Sequence, residues 1–347
     1  MIIEAIRKVV DRQDLSTEEA FAVMDEVMSG KATDAQIAAF LTALRMKGET
    51  VQELTGFARV MREKVSPVRT KARVPAAMSG TDREMLVDTA GTGGDASGTF
   101  NVSTATAFVV AGAGVPVAKH GNRSVSSMCG SADVVEALGV NLDLPPERVG
   151  RCIDEVGLGF CYAPLLHKAM KYVMLARREI RIRTAFNILG PLTNPAKATG
   201  QIIGVYDGRL CERMAHVLNE LGTVRAFIVH GADGLDEISN TGESIVAEVR
   251  DHQVRVSTVR PEDFGLPRCT LADLQGGSVA ENAEIIRRIL KGERGPKRDI
   301  VVLNAGAAIA AGGKAPDIAG GVRLALESID SGAALQKLER LVEFCGA

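Results

Sequence analysis

The sequence has no CxxC pair; its six cysteines stand apart at positions 129, 152, 161, 211, 269 and 345. That scatter offers neither a zinc-binding framework nor a dense set of disulfides, and reduced thiols of a cytoplasmic protein are the simplest expectation. A surplus of one charge is missing too. Lys plus Arg number 41 against 43 Asp plus Glu, a net charge of −2, so nothing supplies the basic surface that nucleic-acid phosphates require. Long apolar runs are also absent. The opening MIIEAIRKVVDRQDLS is broken by Glu4, Arg7, Lys8 and Asp11, unlike a secretion signal, and no stretch approaches a membrane span. Neither nucleic acid nor a membrane is expected as a partner. Proline is scarce at 12, whereas glycine is plentiful at 36 of 347 residues, against an ordinary share of roughly 7%. That surplus belongs in loops. Hydrophobic residues at 46% and charged residues at 24% exclude global disorder, and the length suits about two domains.

Three capping-box signatures mark helix starts near the N-terminus: Ser16 with Glu19, Thr33 with Gln36 and Thr50 with Glu53. Each opens an amphipathic run, and with residues 2–12 they predict a four-helix unit. The stretch 66–80, with two prolines and a glycine, reads as a linker. From residue 86 short apolar strands alternate with helices. Strands are expected at 86–89, 115–119, 159–163, 202–206 and 225–230, and helices from Ser103, from Ser131, over 209–221 and near 279–291, 304–312, 318–329 and 333–344. The pattern is α/β with a mostly parallel sheet. The Lys- and Arg-rich helical stretch 166–184 interrupts it and could pack back on the N-terminal helices; Met170, Met174 and Leu175 within it are expected in the core.

Chemistry concentrates in three loops. After the strand LVDT, Gly91, Thr92, Gly93, Gly94 and Asp95 lead into a helix, a setting in which backbone N–H groups and the helix dipole favour an anion. Gly91, Gly93 and Ala96 also fit a loose dinucleotide pattern, but the acidic residue expected about 20 positions on is absent. Asp95 inside the loop would repel phosphate unless it accepts a sugar hydroxyl or works through a cation. The next strand ends in Lys119, His120, Gly121, Asn122 and Arg123, followed by Ser124, Val125, Ser126, Ser127 and, at a helix start, Ser131. Two cations and several hydroxyls there suit multivalent phosphate recognition. In the third loop, Asp233, Asp236 and Glu237 follow the strand RAFIVH. Adjacent carboxylates at a strand end bind Mg²⁺ well when a polyphosphate shares the ion.

Together and in this order, GTGGD (91–95), NVST (101–104), KHGNR (119–123), GSADVVEALG (130–139), RTAFNILGPLTNP (183–195), DGLDE (233–237) and ENA (281–283) resemble the signatures of the anthranilate phosphoribosyltransferase family over essentially the whole chain. The resemblance implies a small all-helical domain (1–68 plus 166–185) beside a larger α/β domain (69–165 plus 186–347) with a mostly parallel central sheet, of nucleoside phosphorylase/phosphoribosyltransferase type. It implies a homodimer through the helical part. The implied activity transfers the phosphoribosyl group of phosphoribosyl pyrophosphate to the amine of anthranilate, releasing pyrophosphate, in tryptophan biosynthesis.

Residue by residue, the resemblance assigns phosphoribosyl pyrophosphate to Gly91, Gly94, Asp95, Thr99, Asn101, Val102, Ser103, Thr104, Lys119, His120, Gly121, Asn122, Arg123, Ser124, Val125, Ser126, Ser127 and Ser131. Anthranilate falls to Gly91, Asn122 and Arg177, and the metal, about two Mg²⁺ ions per monomer, to Ser103, Asp236 and Glu237. Lys168 stands where the family often has proline, and Ala96, Ser97 and Gly98 replace a commoner glycine-led triplet. No general base is evident; His120 is open between proton transfer and a structural role. Arg178 and Arg181 rival Arg177, and Asp236 with Glu237 could also be a solvated pair. A pyrimidine nucleoside phosphorylase is the nearest alternative, and an idle nucleic-acid-binding relative a second; the DE pair and the full KHGNR run weigh against the first, the net charge against the second.

Overall fold

Three consecutive capping boxes shape the N-terminal helices. Ser16, Thr33 and Thr50 accept the backbone N–H of Glu19, Gln36 and Glu53 at 3.2, 3.3 and 3.2 Å, and each of those side chains returns a bond to the cap N–H. The structure, a computed structural model, describes residues 1–71, 85–95, 97–123 and 129–346. Its first helices are α1 (Ile2–Val10), α2 (Thr17–Met28), α3 (Asp34–Lys47) and α4 (Val51–Lys64). Their apolar stripes meet in one core, where Phe40 and Phe57 pack edge to face at 6.0 Å. Of the stretch expected to be a linker, residues 72–80 lie outside the described residues. Within 66–71, Val68 is fully buried and its N–H donates to the Pro195 carbonyl.

The larger unit runs β1 (Val87–Asp88), α5 (Val102–Gly112), β2 (Val117–Gly121), α6 (Ser131–Ala137), α7 (Pro146–Val156), β3 (Leu158–Tyr162), α8 (Ala163–Leu166), α9 (Lys171–Ile180), α10 (Phe186–Leu189), β4 (Gly200–Gly204), α11 (Arg209–Glu220), β5 (Arg225–Gly231), β6 (Ser244–Arg250), β7 (Gln253–Val259), α12 (Val279–Leu290), α13 (Pro296–Ala311), α14 (Ile318–Asp330) and α15 (Ala333–Gly346). The sheet order is β3-β2-β1-β4-β5-β6-β7; the first five strands are parallel and the last two antiparallel. Along β5, Phe227 and Val229 enter the core beneath α5 and α13, while Ala226 and Ile228 enter the core shared with α11 and the N-terminal helices. That is the period of two expected of a strand buried on both faces. The helical unit is therefore continuous with one face of the sheet. Arg62 of α4 reinforces the junction, donating to the carbonyls of Leu192 and Leu221 at 2.7 and 3.3 Å.

Strand order reverses at β1. The chain steps outward from β1 to β2 and β3, then returns through α8, α9 and α10 to place β4 on the other side of β1. Such a switch point leaves a crevice at the carboxyl ends of the two strands. The returning helix α9 packs on α2 and α3, as the sequence suggested, through Val173 and Ala176.

Several elements depart from expectation. Met174 and Leu175 are 51% and 39% exposed, because α9 can bury only the one stripe that holds Val173 and Ala176. The β6–β7 hairpin and α7 were not foreseen, although SIVAEVR and QVRVSTV alternate and the turn between them places Asp251 and His252 at φ of 52° and 60°. Helix α13 starts at Pro296 rather than near 304, since Pro at the first turn needs no N–H partner. No helix among the described residues is long and apolar enough to cross a membrane.

Candidate active site

The crevice at the switch point is closed by backbone as much as by side chains. Thr92 N–H donates to the Gly204 carbonyl at 2.8 Å, and Gly93 N–H donates to Asp236 Oδ2 at 3.0 Å. These two bonds join the glycine-rich loop after β1 to the end of β4 and to the loop after β5. Gly93 and Gly94 sit at φ of 63° and 80°, where a side chain would be strained. Gly204 is required for a different reason: a Cβ there would lie 1.5 Å from the Asp236 carbonyl oxygen. Thr89, Gly91, Ser103, Gly204, Asp236 and Glu237 line the resulting pocket.

Three carboxyl groups, those of Asp236 and Glu237 lining the pocket and of Asp95 beside Asp236, gather here. Asp236 is pushed up to about 7, first by withdrawal from water and next by the neighbouring Asp95 carboxylate. Glu237 is raised well above the usual carboxylate range by burial and then by Asp236, although it accepts the Ser103 N–H at the start of α5. Lys119 is the compensating cation. Its Nζ donates to the Thr89 carbonyl at 3.0 Å and reaches Ser103 Oγ at 3.4 Å, and burial lowers its pKa against the pull of Asp88, Glu237 and Asp236. Among the described residues no cluster of three or more His, Cys, Asp or Glu forms a closed metal cage. The donors present, hard oxygens of carboxyl groups that burial holds back from ionising, fit Mg²⁺, whose charge would favour their ionised form.

The end of β2 is held from below. Asp88 accepts the His120 N–H at 3.0 Å and the Asn194 side-chain amide at 2.7 Å, and Asn194 also bonds the Ala118 carbonyl at 2.8 Å. His120 Nε2 meets His167 Nε2 at 3.1 Å, so one ring donates and the other accepts. Both are buried, and burial drops them to about 3 and about 4, leaving two neutral imidazoles at pH 7. Asn122 exchanges bonds with Ser131 at 3.2 and 3.3 Å. Arg123 is engaged elsewhere, its guanidinium bonding Asp133 and Glu136 at 2.9 Å and Tyr162 at 3.1 Å. Ser124, Val125, Ser126 and Ser127 lie outside the described residues.

On the other loop Asp95 accepts Ser97 Oγ at 2.6 Å, and Ser97 Oγ lies 3.1 Å from Thr99 Oγ1. Asn101 bonds the Cys129 carbonyl at 3.1 Å and Asn282 at 3.3 Å, which ties the ENA motif to the glycine-rich loop. Val102 and Thr104 are buried in α5 and Gly121 ends β2. Arg177 is half-buried over the Phe186 ring at 5.3 Å, with no carboxylate partner among the described residues; Arg178 and Arg181 are exposed. Sequence reasoning missed Arg183. Its guanidinium bonds the Gly94 carbonyl and lies 4.2 Å from the centre of the Tyr206 ring. Its place inside the RTAFNILGPLTNP motif was the available signal.

Residues 83–335 match the glycosyl transferase family a/b domain, and residues 3–65 match the helical bundle domain of the glycosyl transferase family. The class is thus a two-domain glycosyl transferase. The chain is 58% identical over 346 residues to the anthranilate phosphoribosyltransferase of Geotalea uraniireducens (strain Rf4), covering 99% of both. The anthranilate phosphoribosyltransferase of Thermus thermophilus superposes with a TM-score of 0.91 at 44% identity over 99% of each chain. That of Saccharomyces cerevisiae, in complex with PRPP and Mg, gives 0.86 at 26% identity over 99% of this chain and 98% of that one. The chain belongs to the anthranilate phosphoribosyltransferase family.

Proposed function

We propose that the chain transfers the phosphoribosyl group of phosphoribosyl pyrophosphate to the amine of anthranilate, a step of tryptophan biosynthesis that releases pyrophosphate. The observation that carries this is the convergence of the glycine-rich loop, Lys119 and the Asp236–Glu237 pair at one switch-point crevice. As the pyrophosphate departs, negative charge grows on it and positive charge on the anomeric carbon, and Lys119 with the loop N–H groups is placed to stabilise the first. Magnesium, when bound, neutralises the pyrophosphate further. Ser103, Asp236 and Glu237 would hold it, with about two ions per monomer, as expected of paired carboxylates sharing a polyphosphate.

Asn101, Thr99 and Asp95 would meet the ribose and phosphates, with Asn122 and Ser131 completing the site. Arg177, a guanidinium with no acid beside it among the described residues, would counter the anthranilate carboxylate near Gly91 and Asn122. Rings held at about 3 and about 4 are weak bases at pH 7, so His120 and His167 shape the aromatic side of the site, and the arylammonium loses its proton to water. The helical domain, residues 1–68 plus 166–185, forms that side; residues 69–165 plus 186–347 bind the donor. Ile3 and Val10 of α1, Met46 of α3 and Met174 and Leu175 of α9 are exposed apolar residues on neighbouring helices, which supports a homodimer through this domain. Six free cysteines suit the reducing cytoplasm.

The test follows anthranilate fluorescence with phosphoribosyl pyrophosphate, with and without Mg²⁺. Fluorescence is expected to fall only with all three present. Asp236→Asn combined with Glu237→Gln should lower the rate by about 10²–10³-fold at unchanged circular dichroism; unchanged turnover would refute the metal assignment.

A further inference from the structure

A second cleft, with about 660 Å³ of empty space partly open to solvent, lies between the α3–α4 corner and the β4–α11 segment. The proposed reaction uses none of its charged residues. Arg45 and Glu49 come from the helical side, and Asp207, Arg209 and Arg213 from the sheet side. Asp207 and Arg209 close on each other, with Oδ2 to Nη2 at 2.6 Å. That leaves Arg45, Arg213 and Glu49, whose side chains have no hydrogen-bond or ion-pair partner among the described residues. Glu49 is only 7% exposed. A second unmet group lines the same cleft: Thr184 is 4% exposed and its hydroxyl bonds nothing among the described residues. A carboxylate on so little exposed a side chain, with no counter-charge among the described residues, leaves a charge that a ligand can pair.

The free charges define that ligand. A simple anion would meet Glu49, and a simple cation would meet two unpaired guanidiniums. Two guanidiniums and one carboxylate are matched by a molecule with two carboxylates and one ammonium, and Ile188 and Leu210 offer apolar surface for a short carbon chain. We propose that this cleft binds an acidic α-amino acid, its ammonium on Glu49 and its carboxylates on Arg213 and Arg45.

Titration calorimetry of the full chain with L-glutamate and L-aspartate tests this without any turnover, so its outcome is independent of the proposed reaction. A saturable site is expected for at least one of them. Glutarate and N-acetyl-L-glutamate, which lack the ammonium, should bind about tenfold more weakly or worse, and Glu49→Gln and Arg213→Gln should each weaken L-glutamate or L-aspartate by about tenfold. Thermal melts confirm that each variant is folded, and either variant alone suffices for the comparison. No saturable heat with both amino acids, equal affinity for glutarate, or unchanged binding to folded variants would overturn the proposal.

Discussion

Two corners of one crevice are built on opposite electrostatic plans. At the carboxylate corner burial and the neighbouring Asp95 carboxylate raise the pKa of Asp236, burial and Asp236 raise that of Glu237, and Lys119 is the cation set against them. At the histidine corner, His120 and His167 are neutral and bonded to each other at 3.1 Å, over a β2 end that Asp88 and Asn194 hold in place. The first corner is complete only with added positive charge, whereas the second is complete as it stands. Ligand binding should therefore relieve stored repulsion at one and merely fill shape at the other.

The largest effect should come from removing the space on which the carboxylate corner depends. Gly204→Ala puts a methyl where the Asp236 carbonyl already is, and turnover is expected to fall by about 10³-fold or more, with a stability loss of about 1–3 kcal/mol on denaturant unfolding. A comparable substitution at the unconfined Gly242 should change neither, since nothing lies within reach of its Cβ.

The pH response separates the two corners next. Asp236 in the folded chain holds its proton up to about pH 7 and in the unfolded chain releases it near 4, so this corner loses stability as pH rises through that window. The buried histidines refuse a proton that the unfolded chain accepts below about 6.5, so their corner loses stability as pH falls below that value. Melting temperatures measured from pH 5 to 8 should show Asp236→Asn flattening the loss toward high pH, and His167→Gln flattening the loss toward low pH. Each change should be about 2–4 °C across the range. The same sign of change from both variants would show that the corners are not opposed.

The smallest effect concerns the strut beside the first corner. Arg183→Met removes the bond to the Gly94 carbonyl and the stacking on Tyr206. The KM for phosphoribosyl pyrophosphate is expected to rise about fivefold while kcat changes little, as steady-state kinetics would report.

Local chemistry made the helical unit and most of the central strands legible. Ser16, Thr33 and Thr50 cap their helices through residues three positions away, an interaction the chain carries within a few residues. The β6–β7 hairpin was missed because its turn, Asp251–His252, lacks the Asn-Gly or Asp-Gly pattern that marks such turns. Met174 and Leu175 were misassigned because residue type alone does not tell which stripe of α9 meets α2 and α3. Within the site, the loop residues were visible as motifs, but their supports were not. Asp88 and Asn194 bond each other across 106 residues, Arg183 reaches Gly94 across 89, and Gly204 meets Thr92 and Asp236; motif membership marked Arg183 and Asn194 but did not show which partners they meet.

By itself the sequence determined the helix caps, the α/β alternation and the kinds of group in the three loops, because hydrogen bonding and apolar periodicity over a few residues are properties of neighbours in the chain. Only the tertiary structure decided that Asp95, Asp236 and Glu237 would crowd together and that His120 would pair with His167. Those encounters depend on a strand order that reverses at β1 and brings distant segments into one water-poor crevice, where burial sets the charge each group can keep.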